Sequence, residues 1–233
     1  MKVEIKGKLF EGIFVERINR FIAHILIEDE IKIAHVANTG RMKELLIDGA
    51  RVIVRKVDSP NRKTNYDLVM VYKNDILVLI DSKMPNILLE KAFREGGIEN
   101  FSHYDYIKRE VNFGNSRFDI GLSNEHENIL IECKCVTLVK NNNLATFPDA
   151  PTERGRKHIL ELIKAKEKGY RAAVFFIIQR EDAVVFTPNR DMDKDFARAV
   201  KMAYEEGVEF YAYICSVTLN EIRIKKKIPV SIN

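Results

Sequence analysis

The chain has 233 residues, 46% apolar and 31% charged, which excludes a disordered or fibrous polypeptide and allows one large domain or two small ones. Its net charge of +4, from 38 Lys and Arg against 34 Asp and Glu, is too mild a surplus for an obligate nucleic-acid coat. No apolar run is long enough to span a bilayer, and "MKVEIKGKLFEG" carries no signal-peptide core, so no membrane partner and a cytoplasmic location are expected.

Residues 1–80 read as an all-β unit. "KLFEGIFVERI", "RFIAHILIE" and "EIKIAHV" are short β-rich runs, broken by polar turns at Asn19 and Asp29. "NTG" at 38–40 ends the third strand, and "RMKELLIDG" predicts a short helix stopped by Gly49. Strands resume at "ARVIVRKV", "YDLVMVY" and "DILVLID". Five or six strands with a small helix after the third suit an OB-like Greek-key barrel, with a generic β-sandwich as the alternative. This unit also holds most of the basic surplus, 14 Lys and Arg against 11 Asp and Glu.

The domain boundary is expected near residues 81–85, giving units 1–82 and 83–233. "PNILLEKAFREGG" has the proline start and glycine stop of a helix. Strands "DYIKREVNFG", "SRFDIGLS" and "NILIECKCVTLV" follow, then a helix over about 152–168. "RAAVFFIIQ" reads as a buried central strand, "DKDFARAVKMAYEEG" as a helix, "EFYAYICSV" as a strand and "EIRIKKK" as an edge strand. The order implies a mixed sheet with helices packed on it, an α/β second domain in an α+β two-domain chain. Cys133, Cys135 and Cys215 lack the second ligand pair of a zinc site and read as reduced, buried thiols.

Two strands carry charges where apolar residues are usual. Side chains alternate faces with period two, so Glu132 and Lys134 share a face with Leu130, opposite Ile129, Ile131, Cys133 and Cys135. In "RFDIGL", Arg117, Asp119 and Gly121 lie opposite an apolar Phe118, Ile120 and Leu122. Paired as a hairpin, the strands bring Asp119, Glu132 and Lys134 to one surface. Two converging carboxylates repel unless a cation intervenes, and a hard divalent ion such as Mg²⁺ needs only one or two of them. A nearby lysine can orient water or offset phosphate charge, and Gly121 would leave room for a close approach. The alternative is a weak surface ion pair between Glu132 and Lys134.

The helix after these strands opens with Asp149, Pro151 and Thr152, and buries Ile159, Leu160, Leu162 and Ile163. Arg154, Arg156, Lys157 and His158 crowd its first turns, where cations oppose the helix dipole. Phosphate binding by Arg154, Arg156 and Lys157 would explain them, as would pairing with Glu153 and other acids. His158 reads as a packing or capping residue. In the first unit Arg17, Arg20 and Arg41, with Phe14 and Phe21, offer the basic and aromatic mix of a nucleic-acid face, although both Phe also suit a core. The basic run "RIKKK" at 223–227 suits either a contact or a solvated face.

"HVANTGRM", "RFDIGL", "IECKCVTL" and "FPDAPTERGRKHILEL" together resemble the sugar fermentation stimulation protein A (SfsA) family. The resemblance implies an N-terminal OB-like domain and a C-terminal restriction-endonuclease-like domain with the PD-(D/E)xK fold. It implies DNA as partner, with single- or double-stranded form left open, and a link to bacterial sugar metabolism; a homodimer is a separate expectation. Residue by residue, Asp119 matches the metal-binding aspartate, Glu132 the second carboxylate and Lys134 the lysine of the E-x-K element, with Glu110 as an upstream acidic assistant. Mg²⁺ or Mn²⁺ is the cofactor so implied. Phe118 stands where the motif name has proline, which leaves the chemistry intact. Two functions follow: a metal-dependent nuclease, or a non-catalytic DNA-binding regulator that keeps the nuclease fold. A small-molecule enzyme of sugar metabolism finds no phosphate loop or nucleotide motif in its favour.

Overall fold

The computed structural model describes residues 1–58 and 62–232. The chain begins with β1 (Lys2–Glu4) and then builds a barrel from β2 (Leu9–Asn19), β3 (Ile22–Ile27), β4 (Glu30–Val36), β5 (Arg51–Lys56) and β6 (Tyr66–Lys73). The strand order is β4-β3-β2-β5-β6, and a parallel β4–β6 pairing closes it. This is the OB arrangement. Closure leaves these five strands with no free edge, and β7 (Ile76–Leu79) adds to β6 as a hairpin.

Local chemistry sets the turns. Glu28 and Asp29 both take positive φ between Ile27 and Glu30, the two-residue hairpin geometry whose twist matches the strands. Inward positions alternate, and Phe14, Ala23, Ile25, Ile27, Ala34 and Val36 fill the barrel with Val52, Val54 and Leu68. The helix expected over 41–49 is absent. Met42 adopts φ of 48°, which a right-handed helix cannot continue, and the segment is a strap of turns. Met42 and Leu45, both fully buried, hang from it into the barrel core.

α1 (Met84–Arg94) opens the second unit, with Pro85 in its first turn and Leu88, Leu89, Ala92 and Phe93 as its buried stripe. Then come β8 (Tyr106–Phe113), β9 (Ser116–Ser123), β10 (Asn128–Val136), the short β11 (Val139–Lys140) and β12 (Leu144–Phe147), and α2 (Glu153–Glu167). β13 (Arg171–Ile178), β14 (Val185–Pro188), α3 (Lys194–Glu205), β15 (Glu209–Val217) and β16 (Glu221–Ile228) complete the chain. The main sheet has the order β1-β16-β15-β13-β10-β9-β8. β13 lies between two parallel neighbours, and Ala172 through Ile178 are all fully buried, as its unbroken apolar run predicts.

Both faces of that sheet are covered. α1 packs on one face, where Ile53, Val69, Met70 and Leu79 of the barrel unit join the same core. α2 and α3 pack on the other through Ile159, Leu162, Ala165, Phe196, Val200 and Ala203. β16 is not an edge strand, because β1 pairs along its outer side, Val3 against Ile222. Three of its four basic residues are engaged: Lys225 bonds to Glu181, Arg223 to Glu221, and Lys227 sits over the Tyr211 ring. Among the described residues no helix is long and apolar enough to cross a membrane.

Candidate active site

β9 and β10 form a ladder that stops at Ile120 opposite Ile131. Beyond it the strands part, and the Asp119 side chain fills the gap. Its Oδ2 accepts the Cys133 backbone N–H at 2.8 Å, and its Oδ1 accepts Asn86 Nδ2 of α1 at 2.7 Å. The neighbouring β8–β9 ladder also skips one pair, Glu110 with Asp119, where Glu110 takes φ of 56°. The break changes the alternation along β9. Phe118 packs with the α2 core, whereas Ile120 and Leu122 pack with the α1 core, rather than all three sharing one face.

One residue along β10, Glu132 is 3% exposed. Its Oε1 lies 2.6 Å from Lys134 Nζ and 2.6 Å from His158 Nδ1 of α2. Its Oε2 is buried with no partner. Lys134 is nearly as enclosed, its side chain 12% exposed, so this is not the surface ion pair that spacing allows. The shared face of Leu130, Glu132 and Lys134 is as period two predicts, but α2 covers it and Leu130 packs in the α2 core. Burial, and then the Glu132 charge, raise the Asp119 carboxyl above its ordinary value. Burial also opposes charge on Glu132, but Lys134 and His158 outweigh it and hold that carboxyl below the usual range.

These groups line a cleft of about 900 Å³ between the two units. Asp119, Glu132 and Lys134 meet there with Asn86, Asp149 and Arg154 of the second unit and with Arg17, Arg20, Asn38, Arg41 and Lys43 of the first. The barrel's contribution is the loop after β4, held in four ways. Arg17 donates to the carbonyls of Arg20, Asn38, Gly40 and Arg41. Asn38 accepts the Gly40 N–H and donates to the Ile80 carbonyl. Asp149 accepts the Met42 N–H at 2.9 Å. Ser82 returns its N–H and hydroxyl to the Ala37 carbonyl. Nearby, fully buried Gln179 at the end of β13 donates to the carbonyls of Leu79 and Asp81.

The expected site residues are therefore distributed unevenly. Asp119, Glu132 and Lys134 converge. Glu110 does not join them: it is exposed, faces Arg117 at 3.4 Å and is absent from the cleft lining. Arg17 reaches the cleft with its guanidinium committed to carbonyls, Arg20 lies over the Phe21 ring, and the Arg41 side chain has no partner among the described residues. Phe14 is core, whereas Phe21 is exposed. Arg154, Arg156 and Lys157 line a second cleft of about 580 Å³ with Arg117, Glu153 and His158, and Arg154 belongs to both clefts. Arg156 pairs with Asp195, and Lys157 donates to the Asn115 carbonyl.

Gly121 gives its space to Val111: a Cβ there would stand 2.8 Å from Val111 Cγ2, so the close approach is made by the protein itself. Sequence reading missed His158, Asn86 and Asp149 as partners of the site. For His158 a signal exists, since it falls on the buried stripe of α2 with Leu162 and Ala165. Asn86 and Asp149 carry no such local signal. The three thiols are free, and among the described residues no cluster of three or more His, Cys, Asp or Glu is arranged to hold an ion.

The profile of the SfsA N-terminal OB domain matches residues 15–80, and that of the sugar fermentation stimulation protein RE domain matches residues 83–221. A sugar fermentation stimulation protein homolog of Alkaliphilus metalliredigens is 54% identical over 231 residues, covering 99% of this chain and 100% of that protein. One from Acetivibrio thermocellus is 48% identical over 233 residues, with 99% and 100% covered. Among solved structures, Pyrococcus furiosus SfsA in complex with Ca²⁺ superposes with a TM-score of 0.91 at 32% identity, covering 100% of both chains. With both halves matched in order and relatives aligned along nearly its whole length, the chain belongs to the sugar fermentation stimulation protein (SfsA) family.

Proposed function

We propose that this protein binds nucleic acid in the cleft between its units and cleaves phosphodiester bonds there with a divalent metal. The observation that carries the reading is the convergence of Asp119, Glu132 and Lys134 in a cleft rich in Arg and Lys, with Glu132 Oε2 buried and unpartnered. A buried carboxylate oxygen without a partner costs free energy that a cation would offset. Asp119 and Glu132 are the residues that would hold Mg²⁺ or Mn²⁺. Two carboxylates fit such an ion, which keeps several waters and takes further oxygens from substrate phosphate, so a larger protein cage is not required. The Ca²⁺ complex of the Pyrococcus furiosus relative supports a hard cation in this family. When bound, the metal would polarise the phosphoryl oxygen and lower the pKa of coordinated water.

The chain's own groups do the rest. Asn86 and the Cys133 N–H fix both Asp119 oxygens, so that carboxylate arrives already oriented. Lys134 carries an ammonium beside Glu132, where it can hold a water or offset charge on a pentacovalent phosphate. Arg41 and Arg154, on opposite walls, are the cations best placed to take backbone phosphates. The loop after β4 walls the cleft on the barrel side.

The test is a cleavage assay with Mg²⁺ or Mn²⁺ on single-stranded, duplex and branched DNA and on RNA. Cleavage that Glu132→Ala or Lys134→Ala abolishes while binding persists supports the reading. Intact substrates throughout, with salt-sensitive binding that survives chelator, would leave a non-catalytic binding protein instead.

A further inference from the structure

Among the described residues His158 is the one buried histidine; it lies behind the cleft against Glu132, and the proposed chemistry gives it no step. It is 7% exposed, its Nδ1 lies 2.6 Å from Glu132 Oε1, and the Phe118 ring meets its own ring edge-on at 6.0 Å. α2 supplies it from a fixed frame. Thr152 caps the helix by accepting the Gly155 N–H, and Ile159 and Leu162, which follow the histidine, are fully buried. The ring therefore has little freedom to leave the carboxylate.

The bonding of Glu132 is lopsided. Both neighbours, Lys134 and His158, fall on Oε1, and Oε2 receives none. A carboxylate can accept about four hydrogen bonds spread over two oxygens, and burial normally drives both to find donors. Two donors on one oxygen and none on the other is the pattern expected where the second oxygen has a ligand to receive. Lysine is a poor fixture for this purpose, being a flexible stem with a mobile head. The histidine, with two torsions and a packed ring, is a good one.

We infer that His158 is a positioning residue for the metal: its Nδ1–H holds Glu132 Oε1 and thereby reserves Oε2 for a divalent cation. This rests on the proposed function in taking Glu132 as a ligand, and it adds a division of labour. His158 keeps the carboxylate in place, and Lys134 is released to act on water or phosphate when the cation arrives. It also fixes the ring's chemistry. Facing an ionised carboxylate, Nδ1 must carry the proton.

The full chain decides it by Mn²⁺ titration calorimetry on wild type, His158→Leu and His158→Asn, each checked for folding by thermal unfolding. His158→Leu should weaken Mn²⁺ binding by about 10- to 100-fold, the usual effect of losing a hydrogen-bond partner behind a ligand. His158→Asn, whose amide N–H sits where Nδ1–H does, should recover most of that loss. A folded His158→Leu protein that binds Mn²⁺ like wild type overturns the inference, as does a folded His158→Asn protein as weak as the leucine variant. Wild type that takes up no Mn²⁺ sinks the proposed function instead. Should His158→Leu not fold, ¹⁵N spectra of the wild-type ring still discriminate. A protonated Nδ1 with and without Ca²⁺ is expected, and a bare Nδ1 overturns the assignment.

Discussion

The Asp149 carboxylate occupies the place a Cβ would take on Gly40: an added methyl would stand 2.6 Å from Oδ2 and 2.9 Å from Oδ1. Gly40 belongs to the barrel unit and Asp149 to the α/β unit, so the two are pressed together at the rim of the cleft. Gly40→Ala should lower stability by about 1–3 kcal/mol in urea unfolding, the range for overpacking a fitted contact. The loss should shrink in an Asp149→Ala background, because the clash is then gone. Equal losses in both backgrounds would show that the carboxylate is not what excludes the methyl.

Asp119 sets up a pH-dependent exchange between stability and metal binding. Burial and Glu132 raise its folded pKa above the ordinary 3.8. The stability tied to its protonated form is fully present below 3.8 and is lost as pH rises through the raised folded value. Asp119→Asn imitates the protonated group. With chelator present, the variant should match wild type at low pH and become the more stable of the two as pH rises towards neutrality. Added Mn²⁺ should reverse the order by stabilising wild type alone. Equal chelated stabilities across this range would contradict the shift.

The arginines of the cleft should separate into two kinds. Arg17 holds four carbonyls, so Arg17→Met should lower stability by about 1.5–3 kcal/mol and leave the salt dependence of nucleic-acid binding nearly unchanged. The side chains of Arg41 and Arg154 have no partner among the described residues. Replacing either with Met should leave stability intact and reduce the slope of log affinity against log salt by roughly one unit. Filter binding at several salt concentrations distinguishes the classes.

Gln179 ties the end of β13 to the segment leaving the barrel. Its Nε2 donates to Leu79 O at 2.8 Å and Asp81 O at 3.1 Å, while its backbone carbonyl accepts the Leu79 N–H. Gln179→Leu keeps the volume but takes the side-chain donor from both carbonyls, and the Asp81 carbonyl still accepts the Met84 N–H. The expected loss is about 1–3 kcal/mol, for the Leu79 carbonyl left without that donor, read as a lower urea midpoint at unchanged slope.

Period two along "RFDIGL" and "ILIECKC" was enough to bring Asp119, Glu132 and Lys134 together, because a ladder fixes which residues share a side. It could not foresee the break at Asp119. That depends on Glu110 adopting a left-handed backbone in another strand, and it sends Phe118 to the α2 side. The barrel was legible from its turns and alternation. The helix over 41–49 was not there to be found, since Met42 takes a positive φ, with its N–H held by Asp149, a residue 107 positions away. His158 was passed over for a similar reason: helical spacing marks it as buried but says nothing of which carboxylate it meets. Contacts between elements are set by tertiary packing, which local patterns do not encode.

The pairing of β1 with β16 carries a consequence for how the molecule is made. Lys2 and Glu221, bonded across that strand pair, are 219 residues apart in the chain. The barrel can close on the ribosome as soon as β6 has emerged, since all its partners lie within one stretch. β1 must wait, solvated and unmatched, until β16 has been synthesised. The barrel is thus threaded between the first and last strands of a single sheet. A fragment cut at the boundary between the units would leave the lysine-bearing edge of β16 uncovered, and the two halves expressed apart are each expected to lack a piece that only the intact chain returns.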